Sequence, residues 1–177
     1  MANPRSIGII AGNGVYPETF VRAARLREPS TRLVVVAFEN ETRLDLEPQV
    51  DALQWFRVGQ LSKLIKFLLK EGVTEAVMMG QISPDNLFKL RPDLRILMML
   101  ARVKKRNAET LFGAIAEEMT KDGITLLPAT TFLEDHLPPE GHVAGPVIKP
   151  RTLSDLEYGF QIAKQTSALD IGQSDVV

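Results

Sequence analysis

The chain has 177 residues, enough for one packed core or one domain with a small appendage. Its 45% hydrophobic and 24% charged residues are ordinary for a soluble globular protein, and a formal net charge of −1 gives no electrostatic reason to expect nucleic-acid binding. With no cysteine and only two histidines, disulfides, thiolate metal sites and a cysteine nucleophile are excluded, and any metal would be a hard ion such as Mg²⁺ held by carboxylates and phosphate.

The apolar stretch Ile7 to Ile10 is too short for a signal peptide, and no run approaches the roughly 20 apolar residues that cross a bilayer. A cytoplasmic protein is expected, with contact at a membrane surface left open.

Ser6–Ala11 reads as a strand that collapses into Gly12-Asn13-Gly14, after which Pro17 opens a helical pattern through Arg27. Glycine lets a ligand approach the main chain, and a following helix N-terminus favours phosphate. The third glycine of a dinucleotide fingerprint and the Gly-Lys-Ser/Thr of a P-loop are both missing, so a phosphate cradle and a plain tight turn stay open. Arg32–Phe38 is a β-branched run that reads as a buried parallel strand, Glu39–Pro48 as an acidic connecting loop, and Ala52–Val58 as a third strand. Gly59-Gln60 precedes a helix with Leu61, Leu64, Ile65, Leu68 and Leu69 on one face and Lys63, Lys66 and Lys70 on the other; Gly72 stops it. Thr74–Met79 is a fourth strand ending at Gly80-Gln81.

Three strands thus end in glycine turns: Gly12-Asn13-Gly14, Gly59-Gln60 and Gly80-Gln81. In an open parallel sheet these turns share the carboxyl edge, where ligands bind at the reversal of winding. Tight βα turns alone would also use small residues there.

Pro84–Leu90 reads as a loop or short helix. A helix from Leu94 to about Lys105 carries Leu94, Leu97, Met98 and Ala101 as a predicted core stripe. Its Lys104-Lys105-Arg106 end reads as a solvated C-terminus, with attraction to anionic lipid as the functional alternative. Asn107 is placed to cap a helix with Ala108, Leu111, Phe112, Ile115 and Met119 on its apolar face, ending at Gly123. Ile124–Leu127 is a fifth strand, with Thr130-Thr131-Phe132 expected at the ligand edge. His136 beside Glu134 and Asp135 suggests a metal or general base, against solvated loop residues. Leu137–Pro150 is Pro/Gly-rich, and Thr152 starts a helix with Leu153, Leu156, Phe160 and Ile162-Ala163 as its packing side. Ala168–Val177 reads as the entry to a strand, with Asp170 either at a domain junction or forming a turn.

Several segments resemble, in order, the LpxI-type UDP-2,3-diacylglucosamine pyrophosphatases: Gly8-Ile9-Ile10-Ala11-Gly12-Asn13-Gly14 with Pro17, Gly59-Gln60-Leu61-Ser62-Lys63-Leu64-Ile65, Ala76-Val77-Met78-Met79-Gly80, Leu90-Arg91-Pro92-Asp93-Leu94, Thr131-Phe132-Leu133 and Asp170-Ile171-Gly172-Gln173. The resemblance implies a Mg²⁺-dependent hydrolase at the inner face of the inner membrane of Gram-negative bacteria. It would cleave the pyrophosphate of UDP-2,3-diacylglucosamine, a nucleotide-linked glycolipid, to UMP and the lipid 1-phosphate.

The expected fold is α/β, an open, mostly parallel Rossmann-like sheet of about five strands flanked by helices. The expected division is a domain over 1–135, a linker over 136–151, and a helix and first strand over 152–177 leading into a second domain. The family's Glu-Gly-Thr-Asp motif has no counterpart before Val177, so no catalytic residue or metal ligand is assigned and little hydrolysis is expected from this stretch alone. Gln81 stands where the family pattern often has Lys, a neutral amide in place of a phosphate-pairing charge. The substrate-binding candidates are Gly12, Asn13, Gly14, Gly59, Gln60, Gly80, Gln81, Thr131, Asp170 and Gln173. Homodimerisation through an apolar patch near Val176-Val177 is a further expectation. The alternatives are a non-catalytic nucleotide or nucleotide-sugar binding module, and a dinucleotide oxidoreductase using Glu39 for the ribose.

Overall fold

The structure, a computed structural model, describes residues 5–83, 92–103 and 108–168. Five strands, β1 (Ser6–Ala11), β2 (Arg32–Phe38), β3 (Ala52–Phe56), β4 (Glu75–Met79) and β5 (Thr125–Leu126), form one sheet in the order β3-β2-β1-β4-β5. All four pairings are parallel, which makes this the expected open α/β fold. Parallel strands covered on both faces need apolar residues at every position, and β2 is buried from Leu33 to Phe38 for that reason. The chain builds outward from β1 to β3, then returns past β1 to β4. The winding therefore reverses between β1 and β4.

Strand alternation sorts two cores. On one face Ile7, Ile9, Ala11, Leu33, Val35, Ala37, Val77 and Met79 pack on α1 (Tyr16–Arg27) through Phe20, Val21, Ala23 and Ala24. On the other, Val34, Val36, Phe38, Phe56 and Ala76 meet α2 (Leu61–Lys70) through Leu61, Leu64, Ile65 and Leu68. Full burial of a Leu or Ile side chain such as Leu68 or Ile65 contributes about 1.5–3 kcal/mol. Leu69, expected on that face, lies outside it and is exposed.

The helix α3 (Leu94–Arg102) corrects the sequence expectation most clearly. Its predicted core stripe, Leu94, Leu97, Met98 and Ala101, faces outward; Leu94 is 70% exposed. Met99 is buried instead, with Ile96 and Leu100 against the core. The physical reason is Arg95. Its Nε donates to Glu118 at 2.7 Å and its guanidinium also pairs with Asp122, so that side of α3 turns toward α4 (Ala108–Lys121). On α4 the expected face is partly displaced: Met119 is buried, whereas Phe112 is exposed. β5 is also shorter than Ile124–Leu127, pairing only Thr125 with Glu75 and Leu126 with Ala76.

The chain divides between Leu137 and Pro138 into two compact units. In the second, α5 (Pro150–Ala168) presents most of its expected packing side to solvent, including Leu153, Phe160 and Ile162, while Leu156 and Ala163 are half-buried. Asp170, Gln173 and the predicted final strand lie outside the described residues, as do Pro84–Arg91 and Lys104–Asn107. Among the described residues no helix is long and apolar enough to cross a membrane.

Candidate functional site at the switch point

The turns after β1 and β4 meet where the winding reverses, and their main chains are bonded to each other. Gly12 N donates to the Met79 carbonyl at 2.8 Å, Asn13 N to the Gln81 carbonyl at 2.7 Å, and Gln81 N to the Asn13 carbonyl at 3.1 Å. Side chains would block that approach. A Cβ on Gly12 would overlap the Gln81 carbonyl oxygen and lie 2.9 Å from its carbon; one on Gly80, whose φ is +84°, would overlap the Asn13 carbonyl oxygen. The two glycines thus form a backbone-on-backbone seam that only glycine permits.

The seam changes what the first turn can offer a phosphate. The amides of Gly12, Asn13 and Gln81 are engaged within it, and Gly14 N donates to Asn13 Oδ1 at 2.6 Å. Pro17 in the first turn of α1 has no N–H, and Glu18 adds a carboxylate there, paired with Arg22. In this geometry the glycine amides make a tight strand-to-helix turn, and the groups left open to a ligand are those mounted around it. Those groups are half-buried Asn13 and Gly14 and exposed Val15, Tyr16 and Gln81.

Gly59-Gln60 lies on the same edge at β3, two strands from β1, or about 10 Å at the usual spacing. Its polar groups are also engaged. Gln60 Oε1 accepts from Arg57 N at 3.1 Å, and the Gly59 carbonyl accepts from Asp93 N at 3.0 Å. The Asp93 carboxylate then accepts from Ser62 N at 2.6 Å and Ile96 N at 3.0 Å, filling the N-termini of both α2 and α3. An internal anion occupies the position where a phosphate would sit. Sequence reading placed Asp93 only within a matching segment and gave it no role.

Two more residues were missed in the acidic loop after β2. Thr42 Oγ1 donates to the Ala11 carbonyl and accepts from Phe38 N, tying the ends of β1 and β2 together. Glu41, only 4% exposed, accepts from Ser83 N at 2.8 Å and from Ser83 Oγ at 3.0 Å, which holds the segment after Gln81 against the same edge. Glu39, weighed for ribose recognition, pairs with Arg57 at 3.2 Å.

Thr131 is not brought to this cleft. β5 leaves the sheet level with the first half of β4, and Thr131 closes a turn onto the Pro128 carbonyl. The next residue, Phe132, packs on Phe20 and lies 6.0 Å from the guanidinium of Arg5, which precedes β1. Glu134 and Asp135 both pair with Arg27 at the end of α1, on the amino-edge side of the sheet. The carboxylates beside His136 are therefore held by Arg27, away from the glycine edge. Among the described residues no group of three or more His, Asp or Glu side chains converges as a metal ion needs. Depressions of about 430 and about 410 Å³ run along α3 and α4 rather than at the seam; both include Met99, Arg102, Glu118 and Lys121 in their linings.

Residues 6–136 match the family described as the LpxI N-terminal domain. This chain belongs to the LpxI family. A relative described as "UDP-2,3-diacylglucosamine pyrophosphatase LpxI", from Caulobacter vibrioides (strain ATCC 19089 / CIP 103742 / CB 15), is 24% identical over 176 residues. That alignment covers 98% of this chain and 61% of the relative, so the chain spans about three fifths of the relative's length. The LpxI match ends at His136, one residue before the first compact unit does.

Proposed function

We propose that this chain is the substrate-binding N-terminal part of a hydrolase. The reaction would cleave the pyrophosphate of UDP-2,3-diacylglucosamine to UMP and 2,3-diacylglucosamine 1-phosphate in lipid A synthesis. The observation that supports it is the LpxI match over the very unit whose β1–β4 switch point is built from the matching glycine turns. In open parallel sheets that crevice is where nucleotides dock.

On this reading the seam fixes the floor of the site, Gln81 and Asn13 offer neutral amides to phosphoryl or uracil oxygens, and exposed Tyr16 offers a ring face. A water attacks one phosphorus, the bridging P–O bond breaks, and the departing phosphate keeps the electron pair. Mg²⁺, implied by the family resemblance, has no converging ligand set among the described residues, so no step of this chain is routed through it. The enzyme would act in the cytoplasm of a Gram-negative cell, at the inner membrane where its lipid substrate resides. Release of UMP from UDP-2,3-diacylglucosamine by the full-length gene product with Mg²⁺ tests the reading, and its absence refutes it.

A second reading, a nucleotide-binding module without hydrolysis, is favoured by one observation. The carboxylates placed at the described edge, Glu18, Glu39, Glu41 and Asp93, are already engaged by Arg22, by Arg57, by Ser83 and by the Ser62 and Ile96 amides. Calorimetry on the 177-residue chain with UDP, UMP and the lipid product separates the two. Binding by the chain together with hydrolysis by the full-length protein supports the enzyme. Binding without hydrolysis in either supports the module.

A further inference from the structure

We propose that Arg57, at the carboxyl end of β3, is a phosphoryl contact for a nucleoside diphosphate, held by Glu39 until the ligand arrives. The proposal rests on the nucleotide-site reading of this edge, which the hydrolase and the binding module share. The usual phosphate donors of such an edge are spent. The Gly12, Asn13 and Gln81 amides are bonded within the seam, and α1 opens on Pro17 and Glu18. The N-termini of α2 and α3 are filled by the Asp93 carboxylate. With main-chain donors and helix ends occupied, a diphosphate needs a cationic side chain.

Arg57 differs from the arginines that tie the fold together. Arg5, Arg25, Arg27, Arg32 and Arg95 each divide their nitrogens among two or more acceptor atoms. Arg57 gives only Nε, to one Glu39 oxygen at 3.2 Å, and its two terminal nitrogens meet no acceptor among the described residues. Those nitrogens carry most of the guanidinium donors, including the fork that matches two phosphoryl oxygens. The ion pair is also weakly held. The Arg57 side chain is 58% exposed, and a solvent-exposed pair contributes little. A phosphate on the terminal fork makes shorter, charge-assisted bonds in its place.

The root of the side chain is fixed. Phe38 and Phe56 are register partners, both buried, and Glu39 and Arg57 are the next residues along the two strands. Glu39 N donates to the Phe56 carbonyl at 2.9 Å, and Arg57 N donates to Gln60 Oε1 at 3.1 Å. The fork therefore moves on an anchored main chain. β3 stands about 10 Å from β1 by strand spacing, a reach that a nucleoside diphosphate covers. Phosphates at Arg57 leave the uncharged base to the neutral amides of Asn13 and Gln81. Charge and base are then recognised at separate places along one edge.

The test is titration calorimetry of the 177-residue chain with UDP. Arg57→Gln should weaken binding by about tenfold or more, through loss of charge-assisted hydrogen bonds, and Arg57→Lys should keep part of it. Both variants should keep the parent's melting temperature, because the pair is exposed and Gln60 still holds the main chain at position 57. Glu39→Gln should tighten binding by about threefold, since it removes the carboxylate that competes for Arg57 and repels phosphate. Lys70→Gln removes the same charge at the far end of α2 and should bind like the parent. Undiminished UDP binding by Arg57→Gln overturns the proposal and leaves the nucleotide-site reading standing. If Glu39→Gln weakens UDP binding as much as Arg57→Gln does, the pair is a structural brace and the proposal falls. Absence of UDP binding by the parent chain refutes the nucleotide site itself and this contact with it.

Discussion

Replacing Gly80 by alanine tests the seam directly. The residue has φ of +84°, and its Cβ would overlap the Asn13 carbonyl oxygen and sit 3.0 Å from the Gly12 carbonyl carbon, against ~3.5–4 Å for ordinary contact. The left-handed backbone costs about 1–2 kcal/mol for a side-chain-bearing residue. Overpacking against main chain, which cannot rotate away, adds about 1–3 kcal/mol. If the turns part, the two Asn13–Gln81 hydrogen bonds go as well, at about 1 kcal/mol each. A loss of about 4–7 kcal/mol follows, a large share of the ~5–15 kcal/mol of a typical domain. Gly14 supplies the control: its φ is +101° but nothing lies within 4 Å of a Cβ there, so Gly14→Ala should cost only the backbone share, about 1–2 kcal/mol. Gly12→Ala meets the overlap and falls between the two. Urea unfolding, followed by the fluorescence of Trp55, the single tryptophan, gives the three values on one scale. The double variant Gly12→Ala, Gly80→Ala should cost less than the sum of the singles, since either one opens the same seam. Equal losses for Gly80→Ala and Gly14→Ala would refute the close approach.

Asp93→Ala removes the caps of α2 and α3 together and should lower stability by about 2 kcal/mol in the same urea assay, whereas Asp93→Asn should retain most of it. A loss below about 0.5 kcal/mol would show that the two helix starts do not depend on it. Acid should destabilise the fold through Asp51 and Glu118. Burial alone would raise the Asp51 carboxyl, but the Leu33 amide and Arg25 outweigh it, and Lys121 and Arg95 lower Glu118. Carboxyls lowered in the folded chain contribute stability that is complete above their ordinary values near 4 and lost as pH falls through the depressed ones. The urea midpoint should therefore be insensitive to these groups between about pH 5 and 8 and fall in more acid solution. A decline already under way at pH near 6 would point to other groups.

The sheet was legible because its signals are local. β2 is a run of Val and Leu with polar flanks, α1 and α2 are of ordinary helix length, and Gly72 and Gly123 close the helices that lead into β4 and β5. α3 was not, because Leu94, Ile96, Leu97, Met98, Met99, Leu100 and Ala101 are apolar nearly all round the helix. Periodicity then cannot choose a face, and the choice falls to Arg95 and its acids on α4, 23 and 27 residues away. The site divides in the same manner. Its glycines could be found by eye, but their contacts are with each other, and Asp93 and Glu41 act on amides 31 and 42 residues distant. Thr131 was misplaced because a four-residue strand was read where two residues pair, so the chain turns back early toward Arg5.

The Gly12–Gly80 contact separates two kinds of evolutionary freedom. The positions that must stay glycine face the main chain of the neighbouring turn. Val15, Tyr16 and Gln81, beside them, are exposed, and Gln81 enters the seam through its main chain alone. If the proposed site holds, mutational drift in those three side chains would alter which ligand is preferred while leaving the scaffold's melting temperature where it was. A relative with a different headgroup preference would differ at those positions and keep both glycines.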